Sequence, residues 1–357
     1  TTNYNMSGGT FDAANWFVIG RSGGTATFTM TGGTINHTGT GSDLVVGADS
    51  TGCNGTVLLS GGLMNISGRN TDIGKGAGVG VVSISSTGEF RTGVMMLGAG
   101  ASATGTLNLN GGTLKVSSLS GGDGSATVNF NGGLLQAQAN SSTFISGLDT
   151  ADIQAGGALI DTQTFSVTAN QTFSGSGNIT KSGTGTLTLS GSSINHTGNV
   201  LVNSGTLAIF NTGFGGTDFT IADGAELKCF GTNGFDTRTL GTLTMGTSGA
   251  TVLSFDLGNL PGNPSFVPMA ANFLVLNGTV TGPRISGTVV PSSGADWVTV
   301  RADGYSQLDV RLLITTDAPV AAIGLDCGFG SASQFYAVFK RACGVARRCF
   351  PPRLVAA

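Results

Sequence analysis

Charge is scarce in this chain. Lys, Arg, Asp and Glu together make up 10% of its 357 residues, against about 25% in an ordinary globular domain. A formal net charge of −3 argues against nucleic acid or any other polyanion as partner of the whole chain. Histidine is limited to His37 and His196, and the large polar aromatics to two Trp and three Tyr. That leaves little material for a Ser-His-Asp or Cys-His site, or for an aromatic groove that would hold a ligand. No window approaches the 18 apolar residues of a helical membrane span.

Cysteine is sparse and irregular. Cys53, Cys229, Cys327, Cys343 and Cys349 fit neither a zinc pattern nor a dense disulfide framework. Three of them lie in the tail, where one disulfide could staple a loose segment or a bridge could form between molecules. Acidic residues stop at Asp326, while Lys340, Arg341, Arg347, Arg348 and Arg353 fall in the last 18 residues. This basic tail reads as a solvated terminus, with an acidic surface or a membrane face as the sharper alternative. The chain starts at Thr1, and removal of a leader before it is expected.

Glycine is abundant, at 61 of 357 residues, where about 7% is usual. Hydrophobic residues make up 39%, and mean hydropathy is +0.22, so the chain is not a disordered polar tract. The apolar residues alternate in short runs. TATFTM (Thr25–Met30), TVLLS (Thr56–Ser60), VVSIS (Val81–Ser85), TLNLN (Thr106–Asn110) and TVNFN (Thr127–Asn131) each have period two. That is the mark of strands with one buried face.

A second element is an apolar run closed by Gly, found as WFVIG, LVVG, DIG and MMLG. Its glycines, Gly20, Gly47, Gly74 and Gly98, are 27, 27 and 24 residues apart. Short strands at this rhythm, with no room for helical crossovers, predict a chain that coils on itself and stacks strand on strand. The coil period drifts from about 29 to 21 residues and loosens over 139–172.

The expected organisation is a solenoid over 1–250, a terminal β cap or small β domain over 251–320, and a basic, Cys-containing tail over 321–357. Thirteen to fifteen coils are expected. FYAVFKRACGVARRCF in the tail is the one stretch with a helical texture.

The clearest stretch is Lys181–Ile209. Lys181, Gly183, Gly185, Leu187, Leu189, Gly191, then Asn195-His196-Thr197-Gly198, Val200, Val202, Gly205 and Leu207 resemble the autotransporter-associated β-strand repeat. That family is also called the passenger-associated transport repeat. His196 stands where the family usually has Tyr, and the close match spans about 60 residues. The resemblance implies a right-handed parallel β-helix, secreted or displayed on a bacterial surface. It also implies a neighbouring outer-membrane barrel, for which this chain has no room.

Both histidines sit in the pentapeptide Ile-Asn-His-Thr-Gly, at 35–39 and 194–198. A metal site would need them side by side with a carboxylate. The recurrence instead reads as part of the repeat, with His37 in the phase of Ile66 and Val116. Asp43, Asp49, Asp72, Glu89, Asp123, Asp149, Asp152 and Asp161 are scattered singly, without the pairing that glycoside chemistry requires. One Gly121-Gly122-Asp123-Gly124 fragment is not a calcium repeat, and Asn-x-Ser/Thr triplets follow from composition.

No catalytic, cofactor-binding or metal residues are expected, and no cofactor. The expected function is non-catalytic: an extracellular rod that self-associates, head to tail through its end strands, into a surface fibre, sheath or layer. A glycan- or cell-binding surface adhesin is the alternative, and a carbohydrate-active enzyme the third. The candidate joints are TTNYNMSG at the N-terminus and the atypical tail.

Overall fold

The computed structural model describes residues 1–313 except 38, 40–42, 192–193, 211–213, 215, 231–237, 262–268, 278, 291–296 and 303–309. The basic tail with its three cysteines and its helical texture lies outside the described residues. Those described are all β, with no helix, in the parallel β-solenoid that the strand rhythm predicts.

Each coil is built from up to three strands, and each strand stacks on its equivalent one turn later. Thr25–Met30, Thr34–His37 and Leu44–Val46 form one such coil. Thr25 pairs with Asn54, Thr34 with Leu63, and Leu44 with Thr71, all in parallel. These stacks are called here the first, second and third face. The third is a 12-stranded parallel sheet, one strand per coil, fewer rungs than the sequence rhythm suggests. The shortfall has two sources: the step between coils widens again after residue 226, and the last 44 residues lie outside the description. Glu226 pairs with Val252 and Ala250 with Thr279.

Every second residue points inward, so vertical columns of like side chains form the core. Phe28, Val57, Val82, Leu107 and Val128 make one such column, and each of them is buried. The looser stretch over 139–172 still stacks. Its irregular texture reflects a register shift between Ser141 and Ile145 on the third face.

The run-plus-Gly element is the third face with its corner. Phe17–Ile19, Leu44–Val46, Thr71–Lys75 and Val94–Ala99 end at or contain Gly20, Gly47, Gly74 and Gly98. At Gly47 the backbone has φ +76°, and a Cβ would overlap the Val79 carbonyl of the next coil. The same holds at Gly20 against Asn54. Glycine is required there twice over, by dihedral angle and by backbone approach.

Near residue 250 the strands lengthen, while parallel stacking continues through Ala250–Pro261, Met269–Leu276 and Thr279–Val290. Trp297–Ala302 still pairs in parallel with Met269–Leu276. Val310–Leu313 then folds back antiparallel on it, which ends the coil pattern.

The two demands on Gly47 can be separated. Gly224 has φ +79° but open space at its Cβ position. Gly224→Ala should therefore cost only the left-handed penalty, about 1 kcal/mol. Gly47→Ala adds a backbone clash and should cost on the order of 3 kcal/mol or more. Urea unfolding of the two variants checks this, and equal losses would refute the close-approach account.

Candidate functional site at the first coil

The first coil consists of Thr2–Met6, Thr10–Ala13 and Phe17–Ile19. Each strand pairs with the coil after it, through Tyr4 with Phe28, Phe11 with Ile35 and Phe17 with Leu44. Among the described residues nothing pairs with the opposite edge of these three strands. Three rows of backbone N–H and C=O groups are thus presented together.

The core is open at the same end. Tyr4 and Phe11 lie in inward columns that later coils fill with buried side chains, yet here they are 53% and 41% exposed, and Trp16 beside them is 63% exposed. Tyr4 stacks on Phe28 at 5.1 Å, Phe17 meets Phe28 edge-on at 6.0 Å, and Phe11 leans on Phe17 at 5.7 Å. Together they line a cleft of about 220 Å³. Arg21 lies 5.1 Å over the Trp16 ring and pairs with Asp49 at 2.7 Å. Exposed strand edges around an aromatic floor are suited to adding another strand or coil.

TTNYNMSG, singled out from the sequence, supplies one of the three edges and Tyr4. Phe11 and Trp16 were not singled out as part of this end. The available signal was the column alignment, which sets Tyr4, Phe11 and Phe17 of the first turn over Phe28, Ile35 and Leu44 of the second.

The two histidines are not brought together. His37 is in register with Ala13 on the second face, and His196 with Gly175 on the first, about seven coils or 30 Å apart at strand spacing. The shared pentapeptide therefore does not mark one phase of the repeat. It marks an inward position just before a glycine corner, used once on each of two faces. His37 does share its column with Ile66. Both rings are buried with no partner for either nitrogen among the described residues. Burial pushes His196 down to about 4.

Lys181, the first residue of the repeat motif, turns inward between Ile160 and Val202 and is fully buried. Its ammonium donates to Thr162 Oγ1 (3.0 Å) and to the carbonyls of Ser182 (3.1 Å), Gly183 (2.8 Å) and Ser204 (2.9 Å). Burial lowers it to about 8, and the Asp161 charge offsets part of that. The group ties two successive corners together and satisfies carbonyls that would otherwise be buried unpaired.

The scattered carboxylates do related work at the surface. Asp43 accepts the Asn70 amide at 3.1 Å, Asp149 the Ala126 amide at 2.8 Å, and Asp218 the Thr242 amide at 2.6 Å. Asp223 takes the Thr247 hydroxyl at 2.6 Å and its amide at 2.8 Å, which holds its carboxyl down to about 2. Each clasps a corner of one coil to the next. Glu89 instead pairs with Arg91 at 2.6 Å and Lys115 at 2.8 Å on the second face. Among the described residues no three His, Cys, Asp or Glu side chains gather as a metal would require. Cys53 and Cys229 are both buried. Hydrogen bonds to the Cys53 sulfur from the Ser50 side and from the Gly23 amide lower its pKa.

The sequence model of a family described as "Protein of unknown function (DUF3237)" matches residues 248–327, the stretch that begins where the strands lengthen. No curated protein matches the chain, and no solved structure does.

The buried imidazole at position 196 sets an acid limit. In the unfolded chain it takes a proton near the ordinary value of about 6.5, in the folded chain only near 4. The unfolded state therefore binds more protons in that window, and stability falls as pH drops from about 6.5 toward 4, by on the order of 3 kcal/mol in full. Denaturant unfolding at pH 7 and pH 4.5 should show this loss, and His196→Leu should remove that share of it. An identical acid loss in both proteins would show that the ring is not responsible.

Proposed function

We propose that this chain is a non-catalytic structural rod that self-associates end to end, the first coil of one copy accepting the terminal strands of another. The observation that carries this is the first coil itself: three unpaired strand edges surrounding exposed Tyr4, Phe11 and Trp16. A solenoid end of this kind has the same backbone spacing as the interior, so a further coil adds to it without rearrangement. The aromatics supply apolar area that only a covering strand or coil would bury.

Two other features support the reading. Among the described residues Asp43, Asp149, Asp218 and Asp223 serve as clasps between coils, and no three His, Cys, Asp or Glu side chains gather. The likeness of Lys181–Ile209 to the autotransporter-associated repeat supports placement outside the cell, at a bacterial surface. Such a rod serves as the building block of a fibre, sheath or layer.

Negative-stain electron microscopy of the purified chain at micromolar concentration tests the proposal, with and without reductant. Unbranched fibres are expected, with Phe11→Asp and Trp16→Asp variants shifted to short rods while their far-ultraviolet circular dichroism stays that of a β protein. Isolated rods from the unaltered chain under every condition would refute self-association. Loss of fibres on reduction would assign the joint to cysteines instead of the aromatic end.

A further inference from the structure

Two inward columns can be followed, position by position, from the first coil to the far end of the rod. On the second face Phe11 stands next to Ile35 and Met64, and the same column passes through Lys181 and Val202 to Met245 and Leu276. Every member between Phe11 and Leu276 is buried, whereas Phe11 is 41% and Leu276 47% exposed. On the third face the position of Phe17 continues in register to Ile285. The last coil therefore ends in the phase in which the first begins.

The far end is uncovered in the same way as the near one. Trp297–Ala302 meets Met269–Leu276 only at Ala270 and Ala271. Among the described residues nothing pairs with the far edge of residues 273–276. One core column is thus cut at both ends, and each cut presents an apolar side chain that the other would cover.

The outward file beside this column is complementary as well. It starts at Asp12, whose carboxylate accepts from Asn36 at 3.0 Å, and Asn36 accepts in turn from Asn65 at 3.4 Å. Asn277 follows Leu276 by one residue, as Asp12 follows Phe11, so it holds the same phase. Its backbone amide extends the ladder to the Met245 carbonyl at 3.1 Å. Its side chain is exposed and gives one N–H to the Gly246 carbonyl at 3.4 Å, which leaves a second to donate. The near end offers an acceptor and the far end a donor. A two-fold joint between two first coils would instead run their strands antiparallel, whereas coils within the rod pair in parallel.

We propose that Leu276 of one copy seats on Phe11 of the next. Met269–Leu276 then pairs in parallel with Thr10–Ala13, and the Asn277 amide donates to Asp12. This rests on the end-to-end reading and specifies its joint: heterologous, in register, and open-ended, so that it builds a polar filament.

Phe11→Asp and Leu276→Asp variants of the full chain, purified separately and followed by sedimentation velocity, test the joint. The unaltered chain should form long assemblies and each variant alone single rods. Their mixture should give dimers and nothing larger, because one intact near end meets one intact far end. Folded variants that form no dimers when mixed would overturn the assignment. Leu276→Asp that assembles as the unaltered chain does would also overturn it, while leaving self-association standing. An unaltered chain that stays as single rods would overturn both. The register has its own test in Asn277→Asp, which sets two carboxylates together and should raise the concentration needed for assembly about tenfold or more, with circular dichroism unchanged. Adding Asp12→Asn to that variant should restore assembly, and failure to do so would overturn the register.

Discussion

Coil-on-coil register is the constraint on which the rest of this structure depends. Parallel strands about 4.8 Å apart place each side chain directly over its equivalent one turn earlier. A column must then be compatible with itself: Phe28, Val57, Val82, Leu107 and Val128 can stack because all are apolar and of compatible bulk. The corners obey the same rule in a harsher form. There the backbone of one turn presses on the backbone of the next, and Gly47 leaves no room for even a Cβ beneath Val79.

Stacking also creates the polar problem that the charged residues solve. A corner turns away from the ladder, so its amides and carbonyls lose strand partners and must find others. Asp43, Asp149, Asp218 and Asp223 supply acceptors to amides, and Lys181 supplies donors to carbonyls. So small a stock of charge suffices because each of these groups joins a corner of one coil to that of the next. His37 and His196 are the exceptions, buried with both nitrogens unpartnered. Both fill volume in the core, and at His196 the burial comes at the expense of acid stability.

The fold was legible because period two and the Gly rhythm are local signals. Thr25–Met30 was delimited from its alternation alone, and the run-plus-Gly element proved to be the third face with its corner. The number of rungs was not legible, since a changing step between coils cannot be read from texture. Nor was the placement of Lys181. A lysine in a motif reads as surface, and only the register with Ile160 and Val202 reveals that it turns inward. The paired His pentapeptides misled for a related reason: identical words sit on different faces, because which face a strand occupies depends on the coils beneath it. The open first coil was half legible. Its strand was visible in TTNYNMSG, but the exposure of Phe11 and Trp16 follows only from what fails to cover them.

The proposed self-association rests on whether the uncovered edges of that coil become paired. Hydrogen–deuterium exchange by mass spectrometry, run on dilute and concentrated protein, reads this directly at the backbone. The account predicts that peptides covering residues 1–20 exchange fast when dilute and slow markedly as concentration rises, while interior peptides such as 104–116 stay protected throughout. Exchange in residues 1–20 that is independent of concentration, in protein that nevertheless assembles, would place the joint elsewhere and contradict the account.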